Sequence, residues 1–443
     1  MTSKTLLTGG CVLTLGAKTS NHRRADVLIE GSAISEVGQG LRARDAEHVD
    51  ATDTIVMPGF VDTHRHAWTS LFRNVGDPPS GDDARAPGAT IGSEFGPDDV
   101  YAATLIGLLG AVEAGITTVV DWSPITADQG LADAALRAHA DSGLRTVFVH
   151  APGRGPEGPA GSNRGFVQHL VAAAGPSTGV ALGSLLSGAT DLDRVAEEWA
   201  LARELGLRIH AHAGPGRTSP GAISAAATRG LLGDDVTLVH RSGLDDADAD
   251  ALAASGAAVS MSPVAEMAGG RGSPPIQRLI DRDIRPGLGV DDERISPGDL
   301  FAQMRAAISL QHATVFDLKL AGKAGVPRLL STRDVIRYAT VDGARVAGLA
   351  GVTGSIEPGR QADILVLRTD RPNVFPINDP IGAVVWGMDT SNVDWVFVAG
   401  TPVVRGGALQ ADVERARTLA SKARERVVTP TGLVIGTAAG GER

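Results

Sequence analysis

Short apolar runs that alternate with segments of helical period constrain the fold of this chain most strongly. Repeated strand–helix units predict a parallel sheet with right-handed crossovers, and eight of them fit a closed (β/α)8 TIM barrel of the α/β class. A doubly wound sheet is the alternative, but no glycine-rich fingerprint opens the first strand–helix turn. The eight runs are residues 55–60, 116–121, 144–150, 180–186, 207–212, 236–240, 257–261 and 284–290.

Both ends of the chain differ from the middle, because short strand-like stretches separated by turns replace the alternation. Residues 26–31 and 33–37 show this pattern near the start, and residues 362–367 and 395–400 show it again near the end. We therefore predict one small β-sandwich built from both termini. The predicted division is residues 1–56 and 355–410 for the β-sandwich, 57–354 for the catalytic barrel and 411–443 for a charged helix and tail.

The composition argues against several classes of protein. The net charge is −10 and there is no basic run, which argues against a nucleic-acid partner or an anionic membrane surface. Cys11 is the one cysteine, so no internal disulfide is expected. No apolar run approaches the roughly 18 residues of a membrane span, and Gly9 and Gly10 interrupt the apolar N-terminal stretch. We predict a cytoplasmic protein.

Two histidines two residues apart follow the first run, within residues 56–66 (VMPGFVDTHRH). Alternate side chains of a strand point to the same side, so His64 and His66 converge on one point. A metal ion is the simplest explanation for two imidazoles aimed at one point. A lone His-x-His pair is weak evidence, so the chain must supply further ligands at the same place.

Further histidine and aspartate residues stand where other predicted strands end. His210 and His212 end the fifth run, His240 ends the sixth, and Asp291 follows the eighth. Catalytic residues of such barrels lie at the C-terminal strand ends, so these side chains share one rim with the first pair. Three imidazoles and a carboxylate leave a position open for water, as a catalytic divalent site requires. A buried structural role is the alternative for any single histidine.

Residues 56–66 resemble the opening metal motif of the amidohydrolase superfamily, in the branch of cytosine deaminase, adenosine deaminase-like enzymes and triazine hydrolases. Residues 113–121 (EAGITTVVD), 287–291 (GLGVD) and 354–364 (GSIEPGRQADI) resemble the same branch, so the likeness covers nearly the whole chain. The resemblance implies the barrel with a β-sandwich, a hydrolase that acts on non-peptide C–N bonds, and a homo-oligomer.

The resemblance also implies roles for individual residues. Asp291 in such enzymes takes a proton from the metal-bound water, and His240 polarises the substrate or the attacked group. His210 lies one pleat deeper than the strand-five ligand, and we predict that it is a buried residue of the barrel interior. The four ligands of single-metal members correspond to His64, His66, His212 and Asp291.

The distribution of lysine favours one metal over two. Two-metal members of the superfamily need a bridging carboxylate, often a carbamylated lysine on the third or fourth strand. No lysine lies between residues 19 and 318, and neither the third nor the fourth run contains glutamate or cysteine. We therefore predict one divalent metal ion per subunit, Zn²⁺ with Fe²⁺ as the alternative.

One position departs from the deaminase pattern. Deaminases of this branch usually carry a glutamate three residues after the strand-five histidine, which shuttles a proton to the ring nitrogen and the leaving amine. The corresponding residue here is Pro215. A positioned acid–base group contributes roughly 10²–10⁴ in rate, so its loss is significant. We predict that Glu266, after the seventh run, is the catalytic substitute, with a solvated loop residue as the alternative.

Three further side chains are predicted to bind the substrate. Trp68 follows the metal motif, Trp122 ends the second run and His150 ends the third. The indoles could stack on a planar ring, with ordinary core packing as the alternative, and a core or rim position is the alternative for His150. The irregular residues 75–97 are a candidate lid over the same rim, with a disordered excursion as the alternative.

The predicted function is metal-dependent hydrolysis of a C–N bond in a small heterocyclic substrate, through a metal-activated water. The reaction is ring deamination or hydrolysis of a cyclic amide or amidine. The alternative is a dechlorinating hydrolase or a decarboxylase on the same site, because the proton-shuttling glutamate is missing. A non-catalytic binding protein is disfavoured, since a binder has no need of an open metal site.

Overall fold

Among the described residues, the computed structural model contains a parallel barrel, a mixed sheet from both ends of the chain and a two-stranded ribbon of Arg154–Gly155 and Gly158–Pro159. Pro215 and residues 75–94 of the candidate lid lie outside the described residues. The described residues are 3–17, 19–74, 95–151, 154–155, 158–159, 163–187, 190–214, 219–240 and 242–429.

Eight parallel strands form the barrel, each paired with its neighbours in the sequence. A bridge between Arg65 and Asp291 brings the eighth strand back to the first. This arrangement confirms the predicted TIM-barrel class. The strands are buried on both faces, which explains why they read as continuous apolar runs. They are Phe60–Arg65, Ile116–Ser123, Arg145–His150, Thr178–Leu186, Arg208–Ala213, Val236–Val239, Ala258–Met261 and Gly287–Leu288.

Helices connect the strands and cover the outside of the barrel. Several begin at a side chain that caps free backbone amides, as Asp128, Asn163, Asp245 and Asp299 do. No described helix is long and apolar enough to cross a membrane. The helices are Pro97–Glu113, Gln129–Asp141, Arg164–Ala173, Leu192–Glu204, Ala222–Thr228, Asp246–Ser255, Pro263–Ala268, Ile276–Ile280, Leu300–Leu320, Thr332–Tyr338 and Val341–Val346.

The first barrel strand begins later than the sequence predicted. Residues 55–60 were expected to form it, but strand Thr54–Pro58 pairs with strands Lys4–Val12 and Ile364–Arg368 in the other sheet. The chain passes between the sheets at Gly59, where an added Cβ would lie 2.1 Å from the side chain of Thr117. Two consecutive buried strands give one apolar run, so the periodicity could not divide them.

Nine strands from both ends form one mixed sheet around an apolar cluster that includes Val27, Val56 and Phe397. This confirms that both termini build one β domain, whose exact residue limits stay a prediction. Helix Val413–Val427 follows as expected and packs on helix Pro97–Glu113. The nine strands are Lys4–Val12, His22–Glu30, Ala33–Gly38, Glu47–Asp50, Thr54–Pro58, Ile364–Arg368, Val393–Val398, Thr401–Arg405 and Ala408–Leu409.

Candidate metal centre

Four imidazoles and one carboxylate converge at the C-terminal rim of the barrel. Nε2 of His64 lies 3.1 Å from Nε2 of His212 and 3.4 Å from Oδ1 of Asp291. The same Oδ1 lies 3.3 Å from Nε2 of His66 and 3.3 Å from Nε2 of His240. The structure therefore brings together the four predicted ligands and the predicted strand-six histidine.

The spacing of these atoms fits ligands around one tetrahedral ion. With Zn–N and Zn–O bonds of 2.0–2.1 Å, adjacent ligand atoms lie about 3.3 Å apart. Three separations among the predicted ligand atoms, 3.1–3.4 Å, agree with this value. Oδ1 of Asp291 is buried without a hydrogen-bond partner among the described residues. Buried polar atoms seldom remain unpaired, so a cation is the expected partner.

The charge states of the cluster also suit a divalent cation. Burial lowers the pKa of His64 and of His212 well below the usual range, so both imidazoles are neutral. Burial alone would raise the pKa of Asp291, but the charges of His240 and Arg271 hold it well below its usual range. Neutral imidazoles and an ionised carboxylate are the protonation states that bind a metal.

The backbone around the cluster is strained at two residues and is held by hydrogen bonds between the first and eighth strands. His240 and Asp291 have φ angles of 55° and 64°, in the left-handed region that residues other than glycine rarely adopt. The amide of Asp291 donates to the carbonyl of His64, and the amide of His66 donates to the carbonyl of Asp291, both at 2.9 Å. An added Cβ at Gly289 would lie 2.7 Å from the carbonyl oxygen of His64. This close contact fixes the first strand against the eighth.

A buried ion-pair network supports the same two strands. Oδ1 of Asp62 accepts hydrogen bonds from the amides of His64 at 3.2 Å and Val290 at 3.1 Å. Its Oδ2 accepts from Nε of Arg65 at 2.8 Å, and Nη1 of Arg65 donates to Glu293 at 2.5 Å. All three charged side chains are buried. The network therefore ties the backbone of a ligand to the strand-eight segment.

Replacing Arg65 with methionine is expected to destabilise the fold, because Asp62 would lose its buried cation. Removing one partner of a buried ion pair costs about 3–5 kcal/mol, which urea unfolding measures directly. Arg164→Met is the matched control, since Arg164 pairs with Glu204 at the surface and such pairs contribute about 0–1 kcal/mol. Equal stabilities of the two variants would contradict this role of Arg65.

A backbone carbonyl sets the tautomer of His66, and a buried carboxylate holds the residue that follows it. Nδ1 of His66 lies 3.1 Å from the carbonyl oxygen of Trp122, which leaves the lone pair of Nε2 facing the cluster. The backbone amide of the following residue, Ala67, donates to Oδ1 of Asp121 at 2.8 Å. Oδ2 of Asp121 pairs with Nε2 of His139 at 2.9 Å, and both side chains are buried. His139 thus packs in the interior and holds Asp121 in place.

Trp122 packs against a ligand. Its indole stacks on the imidazole of His212, with ring centroids 3.9 Å apart and planes 9° from parallel. Only 3% of Trp122 is exposed, so one of its faces holds His212 in place. Its predicted contact with the substrate stays a prediction.

The other two predicted substrate contacts lie among aromatic residues. Trp68 makes edge-to-face contacts with Phe72 and Phe95. His150 meets Phe166 edge-to-face, and burial lowers the pKa of His150 to about 4. The imidazole of His150 is therefore neutral at physiological pH. Contact of either residue with a substrate stays a prediction.

His210 lies outside the cluster, although it is only two residues from a ligand. It is fully buried, and neither ring nitrogen has a hydrogen-bond partner among the described residues. Burial lowers its pKa to about 3, so the ring is neutral. The prediction of a buried residue in the barrel interior is confirmed.

Glu266 lies behind His240, on the opposite edge of that ring from Asp291. Oε1 of Glu266 is 3.5 Å from Nδ1 of His240 and accepts from the amide of Ser262 at 2.9 Å. Oε2 accepts from the hydroxyl of Ser242 at 2.7 Å. Glu266 is 0% exposed in helix Pro263–Ala268, so the alternative of a solvated loop residue is wrong.

Arg271 is a site residue that the sequence analysis missed. Its Nη1 lies 3.4 Å from Oδ2 of Asp291, and 37% of its side chain is exposed at the rim. It stands in the glycine-rich residues 269–272 (GGRG), where Gly270 and Gly272 have φ angles of 67° and 104°. A charged residue in a glycine-rich loop after a barrel strand is a signal that could have identified it.

The barrel and this donor set define the class of metal-dependent barrel hydrolases. The sequence model of the amidohydrolase family matches residues 55–403, and the chain belongs to the amidohydrolase family. It is a hydrolase of non-peptide C–N bonds with a candidate site for a metal ion. The resemblance of the sequence motifs to the amidohydrolases is therefore confirmed.

Similar curated proteins are nucleoside deaminases. The chain is 29% identical to 5'-deoxyadenosine deaminase of Methanothermobacter thermautotrophicus over 436 residues, which cover 93% of this chain and 95% of that one. It is also 29% identical to 5-methylthioadenosine/S-adenosylhomocysteine deaminase of Desulforudis audaxviator over 397 residues, covering 86% and 89% of the two chains.

Solved structures share the fold over almost the whole chain. A zinc complex of atrazine chlorohydrolase from Arthrobacter aurescens TC1 has a TM-score of 0.79 at 23% identity, covering 95% of this chain and 99% of that one. A zinc-bound adenosine deaminase from Xanthomonas campestris has a TM-score of 0.81 at 21% identity, covering 96% and 99%. At these identities the likeness supports the fold.

Proposed function

We propose that this enzyme is a zinc-dependent deaminase of adenine nucleosides such as 5'-deoxyadenosine, 5-methylthioadenosine and S-adenosylhomocysteine. One observation carries the proposal, the convergence of His64, His66, His212 and Asp291 on one point with His240 beside them. The similarity to nucleoside deaminases over nearly the full length of the chain supports this substrate class.

One ion per chain fits the cluster, because both groups of potential ligands among the described residues share His64. When bound there, a divalent ion acts as a Lewis acid and lowers the pKa of a coordinated water toward about 7. The set of three imidazoles and one carboxylate suits Zn²⁺, and Fe²⁺ is the alternative. Elemental analysis of the purified protein distinguishes these two ions.

We assign proton transfer to Asp291 and charge stabilisation to His240. Asp291 is held as a carboxylate within the cluster, so it can accept a proton from water and return it to the leaving amine. Burial opposes protonation of His240, but the carboxylates of Asp291 and Glu266 raise its pKa. A protonated His240 donates from Nε2 toward charge that develops on the substrate.

Ammonia release from a panel of substrates tests the proposed function. We expect turnover of one or more adenine nucleosides, loss of activity with a chelator, and recovery with added Zn²⁺. Chloride release from a chlorotriazine without ammonia release would instead support the dechlorinating alternative. Release of CO₂ would identify a decarboxylase. Light scattering in solution tests whether the enzyme is a homo-oligomer, as we also propose.

Glu266→Gln is expected to lower kcat about 10–100-fold with unchanged metal content, because Glu266 orients His240 from behind. A glutamine keeps the size of the side chain but removes the charge that supports a protonated imidazole. Glu198→Gln is the matched control, since Glu198 pairs with Arg194 on an outer helix. Turnover equal to that of the control would exclude Glu266 from the mechanism.

A further inference from the structure

Arg271 lies beside Asp291 in the site, but the proposed reaction assigns it no role. We propose that Arg271 is a catalytic residue whose guanidinium donates a hydrogen bond to the ring nitrogen beside the reacting carbon. The inference rests on the proposed deamination. It assigns to Arg271 the charge stabilisation for which other deaminases use the glutamate that Pro215 replaces here.

The two oxygens of Asp291 face different partners. Oδ1 faces the imidazoles at 3.3–3.4 Å, whereas Oδ2 faces Nη1 of Arg271 at 3.4 Å. Asp291 is fully buried, whereas 37% of the Arg271 side chain is exposed, so this side chain extends from the buried cluster to the protein surface. We therefore infer that a substrate bound at the cluster lies within reach of this guanidinium.

The backbone of Arg271 is anchored by a hydrogen bond, whereas its guanidinium makes only a long contact. Its amide donates to the carbonyl of Glu266 at 3.0 Å, which anchors the glycine-rich loop to helix Pro263–Ala268. The distance of 3.4 Å from Nη1 to Asp291 is longer than that of a strong charged hydrogen bond. A guanidinium carries five N–H donors, so donors remain for a substrate.

The charge of the site matches a substrate that becomes negative during the reaction. The carboxylate of Asp291 offsets only one of the two charges of a divalent ion bound there, and Arg271 adds a permanent cation nearby. Two neighbouring cations repel each other, so the arrangement is most favourable when negative charge develops between them. Preorganised donors of this kind stabilise a transition state without reorganisation.

The proposed deamination needs no proton donor at position 215. The water oxygen bonds to the ring carbon, one water proton passes to Asp291, and the electron pair of the ring C=N bond moves to the ring nitrogen. Arg271 stabilises that negative charge through its hydrogen bond. The pair then returns to the C=N bond, the exocyclic C–N bond breaks, and the amine takes the proton from Asp291 and leaves as ammonia. The hydroxyl tautomer of the product converts to the lactam in solution.

The test compares Arg271→Gln and Arg271→Lys with the control Arg278→Gln. We expect Arg271→Gln to lower kcat about 10²–10³-fold with a much smaller change in KM, and lysine to recover part of the rate. Methylguanidinium should restore part of kcat to Arg271→Ala. Arg278 pairs with Asp246 on the surface, so its variant should match the wild type. Arg271→Gln with the kcat of the control would refute the proposal.

A 1-deaza adenine nucleoside separates catalysis from pocket shape, because a CH group replaces the ring nitrogen. It should inhibit the wild type and Arg271→Gln equally, with equal metal content in both. Inhibition that weakens in parallel with kcat would reduce Arg271 to a structural role and overturn the proposal. A wild type that releases no ammonia from any nucleoside refutes the proposed function, whereas an active wild type with an unimpaired Arg271→Gln refutes this role of Arg271 alone.

Discussion

Asparagine in place of Asp291 is expected to lower kcat for ammonia release by about 10²–10⁴-fold, the range that a positioned acid–base group contributes. The amide is close to the carboxylate in size and keeps one oxygen toward the imidazoles, but it cannot take a proton from water. Steady-state rates are to be divided by the measured metal content, so that loss of a ligand is separated from loss of the base.

Asp246→Asn provides the control for Asp291→Asn. Asp246 is an exposed carboxylate that pairs with Arg278, so the same chemical change there should leave kcat unaltered. If Asp291→Asn retained metal and turned over as fast as this control, the proton would have another acceptor. The assignment of Asp291 in the proposed reaction would then be wrong.

His212→Ala is expected to release the metal and abolish activity, whereas His210→Ala should retain the metal. The two histidines are neighbours on one strand face, but only His212 has a nitrogen in the cluster. Loss of a direct ligand should weaken metal binding by more than the roughly 10–100-fold that outer contacts contribute. Metal per folded chain after dialysis measures the difference.

His210→Ala also serves as a control for a general loss of structure. Removing a buried imidazole should lower the free energy of unfolding, since the ring is fully enclosed. A destabilised but metal-loaded His210→Ala enzyme would show that metal loss in His212→Ala follows from the missing ligand. Metal loss from both variants would contradict the assigned ligand set.

The barrel could be predicted because the same strand–helix unit repeats along the chain and each unit has its own local pattern of apolar residues. Each strand must be apolar on both faces and each helix on one, so the alternation appears directly in the residues. The boundary at Gly59 could not be predicted this way, because strands Thr54–Pro58 and Phe60–Arg65 are both buried and differ only in their partners. Strand pairing is a long-range property that periodicity does not contain.

The ligands could be predicted because a parallel barrel places all strand ends on one rim. His64 and Asp291 therefore meet although they are far apart in the chain. The position of Glu266 behind His240 depends on the short helix after strand seven, and the reach of Arg271 depends on the path of a glycine loop. Neither path follows from spacing along the sequence.

The terminal sheet also determines when this protein can finish folding. Strand Thr54–Pro58 has the N-terminal strand on one edge, but its other edge awaits Ile364–Arg368, about 310 residues later. A ribosome that adds about 5–20 residues per second leaves that edge open for about 15–60 s. The nascent chain thus carries an unpaired strand while the whole barrel is being made. Chaperone supply and translation speed should therefore have a larger effect on the yield of folded enzyme than the stability of the folded state has.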